Sequence, residues 1–259
     1  MAPRNIVLAF DLYGTLLSTS SISTTLSSSL SVPSEKGDAI ASRWRILQLE
    51  YSWRMTCMGK YVSFRDLTRA SLLHSLSEEG VLSPSDETVD RLMGCYDGLP
   101  AFPDATKGLQ VLAAEKAKSL GHRGGSLKAV VFSNGVETTV RDALVKADLE
   151  GSSGTGKLFD GVVSAQPTEA FKPSSKVYQH LVDSVGSSGK DGEVWLVSSN
   201  PFDVTGALGC GVPGLKAVWV DRAGTGWIDK LGSVIGVEKP TLVVGGVDEA
   251  VKQILDDNS

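Results

Sequence analysis

The run Ile6-Val7-Leu8-Ala9-Phe10 leads straight into Asp11 and then into Leu12-Tyr13-Gly14-Thr15-Leu16. A mostly β-prone apolar run without polar alternation marks a strand buried on both faces, the condition of a parallel sheet covered by helices. The Gly-Thr turn that follows sets Asp11 at the C-terminal mouth of that strand, where open α/β sheets place their chemistry. A carboxylate held there can attack an electrophilic carbon or phosphorus. The residue two places on helps to say which, and here it is Tyr13 rather than a second acid. Read alone, an Asp in this place also serves to close a strand and cap a turn.

The rest of the chain fits such a sheet. Strands are expected at Ala129 to Phe132, Gly161 to Ser164, Val194 to Val197 and Ala217 to Val220, with a short late one at Leu242 to Val244. Helices such as Pro103 to Ser119 and Glu137 to Asp148 are long enough for right-handed crossovers. Between the first strand and this alternation lies a different region. Ile40, Trp44, Leu47 and Tyr51 repeat as one face of a helix. Ser63-Phe64-Arg65-Asp66 reads as a capping box for a helix continued by Leu67, Leu73 and Leu76. Ser83-Pro84-Ser85-Asp86 is another start, with the proline at the first helical position and Leu92 and Met93 further along. The Ser/Thr-dominated residues 18 to 36 read as a loop leading to a polar helix start. The expected architecture is α/β: a doubly wound parallel sheet over 1–18 and 99–259, with an inserted all-helical subdomain over 19–98. Gly121 to Gly125, Gly151 to Gly156 and Gly186 to Gly192 are expected as flexible surface connections.

Bulk properties exclude several classes. A chain of 259 residues with 41% hydrophobic content can bury a full core. Its formal charge of −5 offers no broad attraction to nucleic acid or to an anionic membrane, so an anionic substrate must be held by locally placed cations. No apolar stretch approaches a membrane span, and the N-terminus lacks a secretory h-region and cleavage site, so a cytoplasmic protein is expected. Cys57, Cys95 and Cys210 are too widely spaced for a disulfide framework or zinc cluster and are expected to be buried or idle thiols. His74, His122 and His180 show no metal spacing.

Three further segments place polar groups at strand ends or helix starts. Val130-Val131-Phe132-Ser133-Asn134-Gly135 sets a hydroxyl and an amide at a second strand end, where backbone N–H groups can also bind an anion. By itself it is equally an ordinary turn. Ala170-Phe171-Lys172-Pro173 brings one cation to a helix start, with Tyr178 shortly after. Val197-Ser198-Ser199-Asn200-Pro201-Phe202-Asp203 ends another strand with one acid, which reads either as a site acid or as a helix N-cap or first-turn acid.

In this order the segments resemble the haloacid dehalogenase superfamily, whose members attack with the first-strand Asp from a Rossmann-like core beneath a cap. The resemblance runs from Phe10 to about Gly224. It is closest to the L-2-haloacid dehalogenase branch. That likeness rests on Phe10 to Leu16, Trp44-Arg45 with Gln48-Leu49-Glu50-Tyr51 and Trp53, and Ser133-Asn134-Gly135. It continues in Lys172-Pro173 with Val177-Tyr178 and in Val197-Ser198-Ser199-Asn200 with Asp203-Val204-Thr205-Gly206-Ala207. The resemblance implies hydrolysis of short L-2-haloalkanoic acids to D-2-hydroxy acids, with inversion, through an aspartyl ester and with neither cofactor nor metal. It also implies that the chain can pair as a homodimer. Asp11 would be the nucleophile, and Arg45 with Asn134 would receive the halide. Ser133 and the backbone amides of Leu12 and Tyr13 would hold the substrate carboxylate. Lys172 would stabilise Asp11, with Thr15, Tyr178, Ser198 and Asn200 orienting these groups, and Asp203 would help activate the hydrolytic water. Tyr13, Leu49, Phe64 and Phe202 would form an apolar wall that strips water from the nucleophile.

Phosphatases of the superfamily carry a second Asp two residues after the nucleophile and added acids at the fourth motif, because a Mg²⁺ ion must offset repulsion from the phosphoryl group. Tyr13 replaces the first of these, and Asn200 with Asp203 leaves one acid at the fourth motif, so a magnesium site is poorly provided for. Lys172 and Arg45 can compensate a monoanionic haloacid. Ile46, where the family often has Gln, and Phe202, where Trp is common, bear on pocket size. Gly151-Ser152-Ser153-Gly154-Thr155-Gly156-Lys157 imitates a P-loop but is followed by Leu158 instead of Ser or Thr, and it follows a helix rather than a strand. No Gly-x-Ser-x-Gly elbow occurs. A divergent metal-dependent phosphatase and a catalytically silent binding protein on the same fold remain the alternatives.

Overall fold

The computed structural model describes residues 5–119, 126–150, 158–186, 192–237 and 239–256. Six strands form one parallel sheet: β1 (Asn5–Phe10), β2 (Ser126–Ser133), β3 (Gly161–Ser164), β4 (Gly192–Ser198), β5 (Leu215–Val220) and β6 (Leu242–Val244). Their order across the sheet is β3-β2-β1-β4-β5-β6. The direction of winding therefore reverses between β1 and β4, which opens a crevice beyond their C-terminal ends. Phe10 lies opposite both Val131 and Val197, so Asp11 emerges between the ends of β2 and β4. The apolar run in β1 is explained by its two covered faces. Ile6, Leu8 and Phe10 join one hydrophobic cluster, with Leu109 and Leu112 of α5 (Pro103–Ser119) and Val251 and Ile254 of α10 (Val247–Asp256). Val7 and Ala9 join the other, with Leu181 of α7 (Ser175–Val185) and Val204 of α8 (Pro201–Gly209). The helices α6 (Glu137–Lys146) and α9 (Leu231–Val234) complete the sheet's connections. The expected doubly wound α/β sheet is the observed one.

Between β1 and α5 lie four helices, α1 (Ser21–Leu30), α2 (Ser34–Cys57), α3 (Phe64–Glu78) and α4 (Asp86–Tyr96). Ile40, Trp44 and Leu47 form the buried stripe of α2, and Trp44 Nε1 donates to the Thr68 carbonyl at 2.8 Å, fastening α2 to α3. Ser63 caps α3 by accepting the Asp66 amide.

Several expectations need correction. The Ser/Thr-rich stretch contains α1 rather than a loop. Ile22 and Leu26, four apart, bury one face of it, while Ser23, Ser27 and Ser28 bond back to the carbonyls of Ser20, Ser23 and Thr25. Hydroxyls that usually compete with a helix here feed into its own backbone. Pro84 lies outside α4, whose cap is Ser85. Leu73 is 38% exposed; the buried stripe of α3 runs through Leu72 instead. No cysteine is buried, and all three are free. Gly121 to Gly125, the P-loop imitation at Gly151 to Lys157 and most of Gly186 to Gly192 lie outside the described residues, as does His122. Among the described residues no helix is long and apolar enough to cross a membrane.

One ion pair ties the strand ends together. Arg222, just after β5, donates through Nε and Nη2 to Asp104 at 2.9 and 2.7 Å, to the Thr15 carbonyl at 2.8 Å and to Ser199 Oγ at 2.8 Å. Its guanidinium lies 3.8 Å from the Phe102 ring centroid. Burial raises the Asp104 carboxyl pKa, but the Arg222 bonds and the Val247 amide outweigh it, so the group sits below the usual 3.8. A carboxyl lowered in the folded state contributes stability that is present above its unfolded pKa and lost as pH falls through its folded pKa. Asp104→Asn is therefore expected to cost about 1 kcal/mol at neutral pH. In urea unfolding, the gap from wild type should close as pH falls below 3.8. A gap that does not vary with pH would show that the charge is not what holds these loops.

Candidate active site

The loop after β1 is wound tightly around one carbonyl. Leu12 O accepts the amides of Thr15, Leu16 and Leu17 at 3.2, 2.9 and 2.9 Å. Gly14 supplies the positive φ of 84° that the turn requires. Leu12 itself is fully buried. This winding carries Thr15 back over the strand end, where its Oγ1 donates to Asp11 Oδ2 at 2.8 Å and accepts the Ser199 amide at 2.9 Å. Ser198 Oγ accepts the Asn200 amide at 3.1 Å. It shapes that turn, and no described bond joins it to Asp11 directly. Asn200 Nδ2 donates to Asp11 Oδ2 at 2.7 Å and to the Tyr13 carbonyl at 3.1 Å.

Lys172 comes from the other side. Its ammonium donates to Asp11 Oδ1 at 3.1 Å, Asp203 Oδ2 at 2.9 Å and the Phe132 carbonyl at 2.9 Å, with the side chain 2% exposed. Three donors meet three acceptors. Burial alone would lower its pKa, but the charges of Asp11 and Asp203 raise it further, so Lys172 stays protonated. Asp203, fully buried in the first turn of α8, is pushed above the usual carboxyl range by burial and by the Asp11 charge, against the pull of Lys172. Tyr178 donates to Asp203 Oδ1 at 2.9 Å, and its phenol is raised well above its ordinary value, chiefly by burial. This approach needs Gly206: a Cβ there would come within 2.5 Å of Tyr178 Oη. At the end of β2, Ser133 Oγ accepts the Gly135 amide at 3.1 Å, and Asn134 Oδ1 accepts the Lys172 amide at 2.9 Å.

Arg45 reaches in from α2. Its Nη1 donates to Gln48 Oε1 at 2.6 Å and Tyr96 Oη at 3.4 Å, and its Nη2 to Asn200 Oδ1 at 3.3 Å and the Tyr13 carbonyl at 3.5 Å. All of these acceptors are uncharged, so they hold the guanidinium without neutralising it. Tyr13 stacks on Phe64 with ring centroids 6.2 Å apart, and burial raises its phenol above the usual range. Phe202 packs edge-on against Trp53 at 5.5 Å. Half-buried Leu49 falls between Arg45 and Trp53 at four-residue spacing, on the same face of α2. Ile46 is 55% exposed and lines a cleft shared with Arg45 and Tyr96. Among the described residues no group of three His, Cys, Asp or Glu side chains is placed to hold a metal ion.

The structure thus brings Asp11, Thr15, Lys172, Asn200, Asp203 and Tyr178 into one bonded cluster, with Arg45 joined to it through Asn200. Sequence reasoning named Gln48 and Trp53 only as residues carrying the resemblance, with no role at the site, and did not find Tyr96. Gln48 did carry a signal, as a lone amide beside the apolar stripe of α2. Tyr96 carried none, because it meets Gln48 across 48 residues of chain.

Comparison with known proteins adds to this geometry. A family model described as haloacid dehalogenase-like hydrolase matches residues 7–211. The (S)-2-haloacid dehalogenase H-109 of Pseudomonas putida is 32% identical over 250 residues, covering 96% of this chain and 97% of that protein. The (S)-2-haloacid dehalogenase 4A of Burkholderia cepacia is 34% identical over 215 residues, covering 83% of this chain and 82% of that protein. A solved L-2-haloacid dehalogenase from Xanthobacter autotrophicus, with chloropropionic acid covalently bound, superposes with a TM-score of 0.76 at 27% identity, covering 98% of this chain and 99% of that one.

The buried charges give a stability test. Lys172→Met leaves Asp11 and Asp203 facing each other without a counter-charge, and is expected to cost about 3 kcal/mol or more at neutral pH. Adding Asp203→Asn should restore part of that loss, so the two changes combine less than additively in urea unfolding. Strict additivity would mean that Lys172 does not compensate Asp203.

Proposed function

Because the chain belongs to the haloacid dehalogenase-like hydrolases, we propose that it hydrolyses short L-2-haloalkanoic acids to D-2-hydroxy acids through an ester on Asp11. The observation that carries this reading over a metal-dependent phosphatase is the Asn200 amide, whose Nδ2 donates both to Asp11 Oδ2 and to the Tyr13 carbonyl. A divalent ion serving phosphoryl transfer needs hard oxygens of this kind as ligands. Here a neutral donor takes both. Carbon as the electrophile is supported by the names of the relatives and by the covalently bound chloropropionic acid in the similar structure.

In this reading α1 to α4 act as a cap over a core made of residues 1–18 and 99–259. The substrate carboxylate binds Ser133 and the backbone amides of Leu12 and Tyr13. Thr15 and Asn200 both bind Oδ2, which leaves Oδ1, held by Lys172, to attack the α-carbon. A C–O bond forms as the carbon–halogen bond breaks, and the halide leaves with the bonding electrons toward Arg45 and the NH₂ arm of Asn134. Tyr13, Leu49, Phe64 and Phe202 keep bulk water from the carboxylate, which strengthens it as a nucleophile. Water then attacks the ester carbonyl carbon, giving a proton to Asp203. The bond from that carbon to Oδ1 breaks, and the proton passes to the departing hydroxy acid; Asp11 regains an oxygen from water and releases the second water proton to solvent, which restores its carboxylate. Tyr178 and Lys172 keep the Asp203 carboxylate aimed at this step.

Two measurements test the reading. Halide release from 2-chloropropionate should continue undiminished in excess chelator; loss restored by Mg²⁺ would favour the phosphatase-like alternative. In a single turnover in heavy-oxygen water with enzyme in excess, the product should be unlabelled and the label should appear on the peptide containing Asp11. Labelled product from that first turnover would falsify the ester mechanism.

The second step carries its own expectation. Asp203 must be ionised to accept the proton, and burial raises its carboxyl above its ordinary value, so activity should fall as pH drops through its titration. Asp203→Asn should give a stoichiometric burst of halide followed by an accumulated ester detectable by mass spectrometry. Full turnover by that variant would remove Asp203 from the mechanism.

A further inference from the structure

We propose that Gln48 is the positioning residue for the Arg45 guanidinium, and that through it the buried polar chain of Thr68 and Tyr96 sets how well the site handles a poor halide leaving group. The proposal rests on the dehalogenase reading above. Gln48 is fully buried, and its amide orientation is forced by its neighbours. Thr68 Oγ1 donates its only proton to the Phe64 carbonyl at 2.7 Å, so toward Gln48 it can only accept. Gln48 must therefore present its NH₂ to Thr68, at 2.7 Å, and its carbonyl to the opposite side. There Oε1 accepts Tyr96 Oη at 2.8 Å and Arg45 Nη1 at 2.6 Å. Tyr96 is itself held between the rings of Tyr13 and Trp44, with centroids at 5.4 and 5.3 Å. The result is a one-way sequence of donors that starts at the guanidinium, runs through Gln48 and Thr68 to the Phe64 carbonyl, and fixes the guanidinium plane.

The choice of an amide has an electrostatic consequence. A carboxylate in the place of Gln48 would hold Arg45 as well or better, but would neutralise it. Gln48 holds the cation while leaving its charge to an arriving anion. Chloride is a poorer leaving group than bromide and a smaller, more charge-dense ion. Its departure therefore gains more from an un-neutralised, correctly aimed donor.

The test compares 2-chloropropionate and 2-bromopropionate in single turnover, so that chemistry rather than product release is read. Gln48→Glu, with the same shape, should slow the chloride reaction about tenfold or more beyond any slowing of the bromide reaction, with little change in KM. Thr68→Val removes the hydroxyl that dictates the amide's orientation, and Tyr96→Phe removes one donor while keeping the ring. Both should shift the chloride-to-bromide ratio in the same direction by less, and they decide the matter if Gln48→Glu does not fold. Equal slowing on both halides in the folded variants would overturn the proposal, because a merely structural role moves both rates together. Failure of the wild-type protein to release either halide would instead overturn the function on which it rests.

Discussion

A single ammonium group, that of Lys172, is the constraint around which the strand ends are arranged. It is removed from water together with two carboxylates, Asp11 and Asp203, and one carbonyl, Phe132. Desolvating such a set is tolerable only when every donor finds an acceptor and the partners are held in place by the fold. The parallel sheet meets that demand, because three neighbouring strands end at the same level. Asp11 follows β1, Phe132 lies near the end of β2, and Asp203 lies in the first turn of the helix after β4. Tyr178 and Gly206 extend the same logic, since the missing Cβ lets a phenol satisfy the second oxygen of Asp203. One charge thus couples the proposed nucleophile and the proposed base, so neither can shift without the other.

A second layer keeps the loops that carry these groups from drifting. Arg222 and Asp104 pin the turns after β1 and β4 to the start of α5, while Thr15 bonds both Asp11 and the Ser199 amide. Neither Arg222 nor Asp104 has a described bond to Asp11. Their effect is to hold the Asp11 loop and the Asn200 turn in one relation, and that relation allows Asn200 to span Asp11, the Tyr13 carbonyl and Arg45. Preorganisation of this kind is the main means by which a site lowers a barrier involving developing charge.

The two cations of the site are treated in opposite ways. Lys172 is compensated by carboxylates and sealed from solvent, whereas Arg45 is held by Gln48, Tyr96, Asn200 and a carbonyl, none of them charged. A compensated cation organises anions that belong to the protein. An uncompensated one is left for an anion that does not. That difference also distinguishes the proposed dehalogenation from chemistry on a phosphoryl group, whose greater charge calls for a bound metal and for the oxygens that Asn200 occupies here.

Local pattern was enough for most of the scaffold. The unalternating run at Ile6 to Phe10 required a strand covered on both faces, and the strand ends carrying Asp11, Ser133 and Asn200 could be placed because β-strands and turns are written in neighbouring residues. The same reasoning misjudged α1, where Ile22 and Leu26 drive a helix through a serine-rich stretch because other helices cover that face, something no local composition records. It also could not orient side chains. Whether Asn200 presents its amide or its carbonyl to Asp11, whether Gln48 faces Arg45, and whether Arg222 meets Asp104 across 118 residues of chain are settled only by long-range packing. The amino-acid order alone determined which chemical groups stand at the strand ends, because backbone periodicity is local. Only the tertiary structure decided which of those groups compensate one another and which charge remains free, because hydrogen bonds and ion pairs depend on distances in space and not along the chain.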